Sequence, residues 1–354
     1  MDDGVTEINI NSLDSKQHNA SDSSSSSDTD KDRELGLSKT EIQRRKRAVR
    51  ASKALFRTID VLFNLSQNIC PYVSKADAER IELNFDVAYD EGFDVCKLDI
   101  YKVPGESAQP AIILIHGGGF SAGDKKYRRG LSQFFALNGF TVFCVNYGLS
   151  PDFVFPDPYN HLVTAANFVY RNAEKYNILP DKILVSGDSA GAYYASMLAV
   201  NNCSDVFARE FGAALDFKIC GTLLNCGVYD MNTVLNTKYF LDVDDGVFLS
   251  ITGLRRSELD KFKYKDVCMP YEYITSEYPP SFLISSDNDV FCKGQSASMI
   301  ERLNSLGVYN EHYVARHKSS IHCFSLNWRG EDAYAANELM LSFAKRLVND
   351  RIKL

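Results

Sequence analysis

The sequence lacks the paired cysteines of a disulfide framework or a structural zinc site. Its 354 residues include nine cysteines, an odd number, and no CxxC pair occurs. Both kinds of site need closer, paired spacing. Several of the cysteines stand within apolar runs, as Cys144 does within Phe140–Tyr147. We therefore expect buried, reduced thiols in a cytoplasmic protein, and no metal ion.

A basic excess and a long apolar run are also missing. Lys and Arg total 39 against 46 for Asp and Glu, a net charge of −7, whereas a nucleic-acid binder normally presents a basic face. The longest aliphatic run, Ala111–Ile115, is far too short to cross a membrane. The first thirty residues hold no apolar segment, so no ordinary secretory signal is expected.

Composition divides the chain into three parts. Residues 1–37 are rich in Ser and Asp, and this predicts a disordered tail because such a segment buries little apolar area. Residues 38–78 are expected to form an N-terminal helical cap segment, and residues 79–354 one large α/β domain. Residues 229–279 contain no clear strand and are expected to form a cap insertion over the carboxyl edge of the sheet.

An amphipathic helix is predicted within residues 38–69, ending before Pro71. Leu55, Ile59 and Leu62 recur at helical spacing. A basic cluster lies upstream: Arg44, Arg45, Lys46, Arg47, Arg50 and Lys53. The helix either packs on the domain as part of a lid or lies on a membrane surface. The first interpretation is favoured, and peripheral membrane contact stays open.

Strands alternate with helices from residue 79 onward. Several of the strands are continuous apolar runs, as buried parallel strands are, and the alternation indicates an α/β fold with a mostly parallel central sheet flanked by helices. The predicted strands are Arg80–Val87, Val95–Val103, Ala111–His116, Thr141–Tyr147, Lys182–Ser186, Gly221–Val228, Ser281–Ser286 and Tyr313–Arg316. The predicted helices are Arg128–Asn138, Pro158–Tyr176, Gly191–Asn201, Gly294–Leu306 and Ala333–Val348.

A G-x-S-x-G motif, Gly187–Gly191, stands between a predicted strand and a predicted helix. The turn between these elements is too sharp for side chains at the flanking positions, which explains the glycines. It lifts the oxygen of Ser189 clear of the backbone, and the helix that follows points its first amides at developing negative charge. Ser189 is therefore the candidate nucleophile, and Ala190 supplies one candidate oxyanion-hole amide.

A second glycine motif, His116-Gly117-Gly118-Gly119, directly follows the strand that ends at Ile115. Consecutive glycines let backbone amides approach a substrate, as an oxyanion hole requires. A phosphate-binding loop is less favoured, because neither GxGxxG nor a Lys-Ser/Thr pair is present. Gly118 and Gly119 are the candidate donors, and Gly117 is expected to serve the turn.

A triad in the order Ser, acid, His needs two more residues after Ser189. Three histidines follow it, of which His312 and His317 belong to the last predicted strand or its end. His322 lies in the loop beyond, where a side chain reaches the sheet edge, and is the candidate general base. Asp289, which follows the strand Ser281–Ser286, is the favoured acid, with Asp287 as the alternative.

These motifs together resemble the hormone-sensitive-lipase-like family of α/β-hydrolases, which includes carboxylesterases and arylacetamide deacetylases. The similarity covers residues 80–350, and extends to Asn146–Pro151, to Asn288–Phe291 and to His322–Phe324. It implies an α/β-hydrolase fold with a helical cap and the triad Ser189, Asp289 and His322. Two departures stand outside the triad: Gly148 replaces the usual arginine, and Asn160 with His161 occupy the place of an acidic residue.

Three functions remain open on the sequence. The leading one is hydrolysis of small to medium acyl esters through an acyl-enzyme on Ser189, which needs no cofactor. An amidase or deacetylase would use the same triad. A non-catalytic ligand-binding homologue is disfavoured, because His322 and both glycine motifs are intact. The partner expected is a small-molecule ester; the sequence does not indicate the oligomeric state.

Overall fold

The structure of the protein, a computed structural model, describes residues 38–69, 73–230 and 243–350. Residues 44–354 group into one compact unit. The predicted tail, residues 1–37, lies outside the described residues, as do Pro71 and residues 231–242 of the predicted insertion. The division into tail, cap segment and hydrolase domain stays a prediction.

Eight strands form one sheet in the order β1-β2-β4-β3-β5-β6-β7-β8. The pairs β1–β2 and β2–β4 are antiparallel, and every other neighbouring pair is parallel. This mostly parallel sheet confirms the predicted fold class. The strands are β1 (Glu82–Ala88), β2 (Lys97–Lys102), β3 (Gln109–Ile115), β4 (Thr141–Val145), β5 (Ile178–Asp188), β6 (Gly221–Asn225), β7 (Ser281–Ser286) and β8 (Asn310–Ala315).

Helices flank the sheet on both faces. The described α-helices are α1 (Lys39–Ile69), α2 (Lys75–Ala78), α3 (Arg129–Leu137), α4 (Asp157–Arg171), α5 (Ala173–Tyr176), α6 (Ala190–Cys203), α7 (Asp205–Phe211), α8 (Val243–Thr252), α9 (Gln295–Ser305) and α10 (Gly330–Val348). Short 3-10 helices span Lys125–Arg128, Arg256–Lys261, Pro270–Tyr273 and Phe324–Asn327. Each of the five predicted helices corresponds to one of these elements or, for Pro158–Tyr176, to two.

The differences from the predicted elements are local. The predicted helix Pro158–Tyr176 is interrupted at Asn172, whose side-chain amide donates to the carbonyl of Phe168 at 2.8 Å and so competes with the helical pattern. Strand β5 begins at Ile178, before the predicted start at Lys182, because Ile178 pairs with Gln109 of β3. Helix α7 was not predicted at all.

The core has two layers, one on each face of the sheet. Successive residues of β3 point to opposite faces, so Ile113 and Ile115 join one cluster while Ile112 and Leu114 join the other. All four are 0–1% exposed. Burial on both faces explains why β3 is a continuous apolar run in the sequence.

Helix α1 packs against the domain through a face that is only partly apolar. Up to residue 65, where its side chains are described, its buried residues are Arg45, Ser52, Phe56 and Asp60. Leu62, expected with Leu55 and Ile59 on one apolar stripe, is 60% exposed. Arg45 pairs with Glu258 at 2.5 Å. The stripe prediction was wrong at Leu62, because polar residues that pair with buried charges occupy the inner face instead.

Within the described part of the chain, no helix combines the length and the apolar character that a membrane crossing requires. Several helices have one face that packs on the sheet and another that meets solvent. Helix α10 is an example, with Phe343 fully buried and Leu339 46% exposed.

Replacement of Phe343 by Ala is expected to lower the free energy of unfolding by about 3–5 kcal/mol, because it opens a cavity beside Phe282, whose ring centroid is 5.6 Å away. Urea unfolding followed by circular dichroism measures the change. The matched control is Leu339→Ala on the same helix, which we expect to stay within about 0.5 kcal/mol of wild type. Equal losses in the two variants would contradict this packing.

Candidate active site

A buried Asp–His pair lies at the carboxyl edge of the sheet. The Nδ1 atom of His322 is 2.8 Å from Oδ2 and 3.0 Å from Oδ1 of Asp289. The two residues are 8% and 3% exposed. Since a carboxylate only accepts, Nδ1 carries the proton in this pair, and Nε2 is left as the basic nitrogen of the neutral ring.

The surroundings of Asp289 favour it over Asp287 as the partner of His322. Its Oδ1 atom also accepts the backbone N–H groups of Phe291 at 2.8 Å and Cys292 at 2.9 Å. Burial by itself would raise the pKa of Asp289, but the histidine and these amides hold it below its usual value. Asp287 is exposed. The structure therefore brings Asp289, and not Asp287, to the imidazole.

The loop that carries His322 is anchored at Ser320. The Ser320 hydroxyl donates to Asp332 Oδ2 at 2.6 Å, and its carbonyl accepts from the hydroxyl of Ser286 at the end of β7. Histidines 312 and 317 are exposed, and His317 contacts the hydroxyl of Ser319 at 2.7 Å. The structure thus holds His322 in place through its loop and leaves the other two histidines at the surface.

Ser189 forms the corner between β5 and α6. Its backbone lies at φ 51° and ψ −119°, a conformation that non-glycine residues rarely adopt. A Cβ on Gly191 would collide with the carbonyl of Ile115, so the helix can approach β3 only with glycine there. The Ser189 N–H donates to the carbonyl of Asn225 at 2.9 Å. Ala190 begins the helix, where amides lack helical partners.

The glycine loop lies beside this corner. The N–H of Gly117 donates to Oδ2 of Asp188 at 3.1 Å, so that amide is engaged with the residue that precedes Ser189. Gly118 has φ +132°, and a Cβ there would collide with the backbone of Ala122. The loop begins at His116, whose carbonyl accepts from the hydroxyl of Tyr147 at 2.8 Å.

The BD-FAE family model matches residues 98–303, which is more than half of the chain. The chain belongs to the BD-FAE family. This family and the fold confirm the resemblance to the hormone-sensitive-lipase-like α/β-hydrolases that the motifs indicate. Among curated proteins, an alpha/beta hydrolase of Acanthamoeba polyphaga mimivirus is 25% identical over 61% of this chain. An acetyl esterase of Salmonella paratyphi B is 26% identical over 52% of it. The chain spans 61% and 57% of the lengths of these relatives.

Solved structures share the fold of this BD-FAE family member. Esterase B of Lactobacillus rhamnosis superposes with a TM-score of 0.74 at 20% identity, covering 87% of this chain and 96% of that one. A hyperthermophilic esterase from the archaeon Pyrobaculum calidifontis gives a TM-score of 0.65 at 19% identity, covering 86% and 94%. At this identity the likeness establishes the α/β-hydrolase fold.

A buried arginine that the sequence analysis missed joins the two glycine motifs of the BD-FAE chain. Arg128 is 2% exposed. Its Nε and Nη2 atoms donate to the two oxygens of Asp188 at 2.8 and 2.7 Å. Asp188 directly precedes Ser189 and also accepts from Gly117, so one guanidinium braces both loops. The sequence signal for such an arginine was Asp188 itself, because a carboxylate inside a buried turn needs a positively charged partner.

Asp60 on helix α1 is the second carboxylate at Arg128. Its Oδ1 atom lies 3.3 Å from Nη1, and its buried Oδ2 atom has no hydrogen-bond partner among the described residues. Burial, together with repulsion from Asp188, raises the pKa of Asp60 to about 6 despite the opposing effect of Arg128. One cation shared by two carboxylates leaves the more weakly bonded Asp60 only partly compensated.

Two aromatic rings connect helix α1 to the Asp–His pair. The ring of Phe56 contacts the backbone of Gly119 closely enough that a Cβ there would collide with it. Its centroid is 5.9 Å from that of Phe291, which in turn lies 5.2 Å from the ring of His322 in an edge-on arrangement. The α1 segment therefore covers the glycine loop with an apolar side chain.

The two departures from the family pattern contact each other. The N–H of Gly148 donates to Nδ1 of His161 at 3.1 Å. A Cβ on Gly148 would collide with the ring of Phe153, which packs 5.1 Å from the imidazole. Burial lowers the pKa of His161. In this chain a neutral histidine and an aromatic ring occupy the region, so a long basic side chain at position 148 would have no room.

The variant Asp60→Asn is expected to gain stability relative to wild type as the pH rises. The folded-state pKa of Asp60, about 6, exceeds its ordinary 3.8, so the folded state binds more protons between these values. The stability that this carboxyl contributes is present below about pH 4 and is lost as the pH rises through about 6. The amide avoids this loss, which amounts to at most about 3 kcal/mol.

The measurement is urea unfolding of wild type and Asp60→Asn at pH 5 and pH 7.5. The stability of the variant relative to wild type should be greater at the higher pH. The exposed Asp152→Asn serves as the control and should show no such trend. A constant difference between wild type and Asp60→Asn at both pH values would show that Asp60 is fully ionised in the folded protein.

Proposed function

We propose that this protein is a serine carboxylesterase that cleaves small to medium acyl esters through an acyl-enzyme. The observation that carries the proposal is the buried Asp289–His322 pair at the same sheet edge as the strained Ser189 corner. The 26% identity to an acetyl esterase supports the ester and the short acyl group. No metal or cofactor takes part in the proposed chemistry.

In the first half-reaction, Ser189 Oγ attacks the acyl carbonyl while Nε2 of His322 takes the hydroxyl proton. The carbonyl π electrons move to oxygen, and the amides of Gly118, Gly119 and Ala190 are proposed to stabilise the resulting oxyanion. The intermediate then collapses: the carbonyl re-forms, the ester C–O bond breaks, and the imidazolium gives its proton to the leaving oxygen, so that the alcohol departs and the acyl-enzyme remains. Asp289 stabilises that imidazolium and holds the tautomer.

In the second half-reaction, water attacks the acyl-enzyme and His322 again acts as the base. The tetrahedral intermediate collapses to release the carboxylic acid and to restore the Ser189 hydroxyl. The thiols near this site do not compete as nucleophiles at neutral pH, because burial raises the pKa of Cys292 and Cys323 well above the ordinary value. We place the enzyme in the cytoplasm, which the free thiols of the eight described cysteines support.

Helix α1 is also proposed to make reversible contact with anionic membranes. Its outer face exposes Arg44, Arg47, Arg50 and Arg57 in the first part and Val61, Leu62 and Leu65 near its end. The three apolar side chains are 48%, 60% and 47% exposed. Basic residues attract anionic headgroups, and apolar residues on the same face enter the interface.

The catalytic proposal predicts that wild type hydrolyses p-nitrophenyl acetate and butyrate faster than laurate. Ser189→Ala should lower kcat by about 10⁴–10⁶-fold, and Asp289→Asn by about 10⁴-fold, since the tautomer is lost. The matched control is Asp287→Asn, two positions away and exposed, which should retain wild-type kcat. Turnover is followed by release of p-nitrophenolate, with the acetanilide analogue testing amide cleavage in parallel.

Labelling of Ser189 by an organophosphonate, read by mass spectrometry, separates the ways this proposal can fail. Labelling without ester turnover would mean that the triad is competent and the substrate class is wrong. Faster cleavage of the anilide than of the ester would favour the amidase. If neither turnover nor labelling is observed, the protein is a non-catalytic binding protein with the same fold.

The membrane proposal predicts cosedimentation with vesicles that contain phosphatidylserine, and weaker binding to vesicles of phosphatidylcholine alone. The double variant Arg47→Glu/Arg50→Glu should lower the affinity for the anionic vesicles at least tenfold, because each basic residue contributes about 1 kcal/mol. Leu339→Ser, an exposed leucine on α10, is the control and should bind like wild type. Equal binding to both kinds of vesicle would overturn the proposal.

A further inference from the structure

Three thiols lie near His322, one in the segment that follows each of three neighbouring parallel strands. Cys226 directly follows β6, Cys292 lies shortly after β7, and Cys323 follows His322 in the loop beyond β8. Their exposed fractions are 1%, 5% and 1%. The proposed mechanism uses none of them, yet their strand ends deliver them to the imidazole on which that mechanism depends.

Two of the thiols and the imidazole form a group with the spacing of a metal site. A ring nitrogen of His322 and the Sγ atoms of Cys226 and Cys323 all lie within 4.8 Å of one another. In a tetrahedral zinc site, bond lengths of 2.0–2.3 Å put ligand atoms about 3.3–3.8 Å apart. Small side-chain rotations that shorten these separations by about 1 Å would therefore bring the three ligands onto one ion.

The donor types select the kind of cation. Thiolates and imidazole favour zinc and other soft divalent ions, whereas calcium and magnesium require oxygen ligands. A second group, Asp289, Cys292 and His322, meets the same distance limit. In that group the carboxylate already accepts the hydrogen bond of the imidazole at 2.8 Å, and an ion placed between the two would have to break that bond.

The backbone holds both cysteines in unusual conformations. Cys226 has φ 47° and Cys323 has φ 52°, in the left-handed region that non-glycine residues seldom occupy. The Cys226 N–H is fixed by a 2.8 Å hydrogen bond to the carbonyl of Ile284 in β7. The main chain thus fixes both cysteines beside the imidazole.

We infer that Cys226, His322 and Cys323 form an inhibitory site for Zn²⁺ or Cd²⁺, with water as the fourth ligand. Binding forms two metal–sulfur bonds and one metal–nitrogen bond and releases the two thiol protons to solvent. The imidazole then donates its lone pair to the ion and no longer accepts the proton of Ser189. The inhibitory part of this inference rests on the proposed role of His322; the binding part does not.

The experiment titrates the full-length, reduced and metal-stripped protein with Cd²⁺ while the ultraviolet cadmium–thiolate absorption is recorded. One strong equivalent is expected in wild type, and Zn²⁺ should displace it. The double variant Cys226→Ser/Cys323→Ser should lose this absorption. The control variant is Cys220→Ser, a half-buried cysteine outside the group, and it should keep the absorption.

Hydrolysis of p-nitrophenyl butyrate gives the second measurement. Zn²⁺ should inhibit wild type and Cys220→Ser equally. Loss of a partner outside the ligand shell usually costs about 10–100-fold in metal affinity, and loss of a ligand should cost at least as much. The single variants Cys226→Ser and Cys323→Ser should therefore each need at least about tenfold more Zn²⁺ for half-inhibition. The variants Cys226→Ala and Cys323→Ala replace any serine variant whose melting temperature shows that it does not fold.

The outcomes separate failure of the site from failure of the proposed function. Unchanged absorption in the double variant would place the metal on other thiols and overturn the inference. Absorption without inhibition, in a protein that is active, would show that His322 is not a ligand and would also overturn it. An inactive wild type that still shows the specific absorption would confirm the metal site and count only against the esterase.

Discussion

The bidentate pair between Arg128 and Asp188 is the interaction on which the geometry of the site depends. Asp188 ends β5 and precedes Ser189, while the same carboxylate accepts the N–H of Gly117. The pair is nearly fully buried, so its desolvation cost is large and is offset only because both oxygens are satisfied. Loss of the arginine would leave a buried charge and release two loops at once.

The parallel sheet explains why residues far apart in the chain meet. Strands β3, β5, β6, β7 and β8 run in one direction, so their carboxyl ends share one edge. Catalytic candidates follow β5, β7 and β8, and the glycine loop follows β3. The thiols beside His322 reach the same edge for the same reason, so a metal site and a catalytic base can share one side chain.

Helix α1 is coupled to this edge by a polar and an apolar contact. Asp60 reaches Arg128, and Phe56 lies on Gly119. The polar contact only partly compensates Asp60, because burial and repulsion from Asp188 raise its pKa to about 6 despite the nearby guanidinium. Packing of Phe56 therefore holds helix α1 at this edge, whereas the Asp60 contact is weakened by a negative charge that protonation would remove.

The sequence alone determined the central buried strands, the fold class and the Ser189 corner, because continuous apolar runs and a glycine-flanked serine depend on local physics. It also ranked Asp289 above Asp287, although only the tertiary structure showed that one is buried against His322 and the other exposed. The roles of Arg128 and Asp60 could not be predicted from the sequence. Nothing local marks which of the 39 basic residues will pair with a buried carboxylate, or which second carboxylate will share that partner. Leu62 was misplaced for a related reason: helical spacing indicates an amphipathic face, but which face turns inward depends on the charges already buried beneath it.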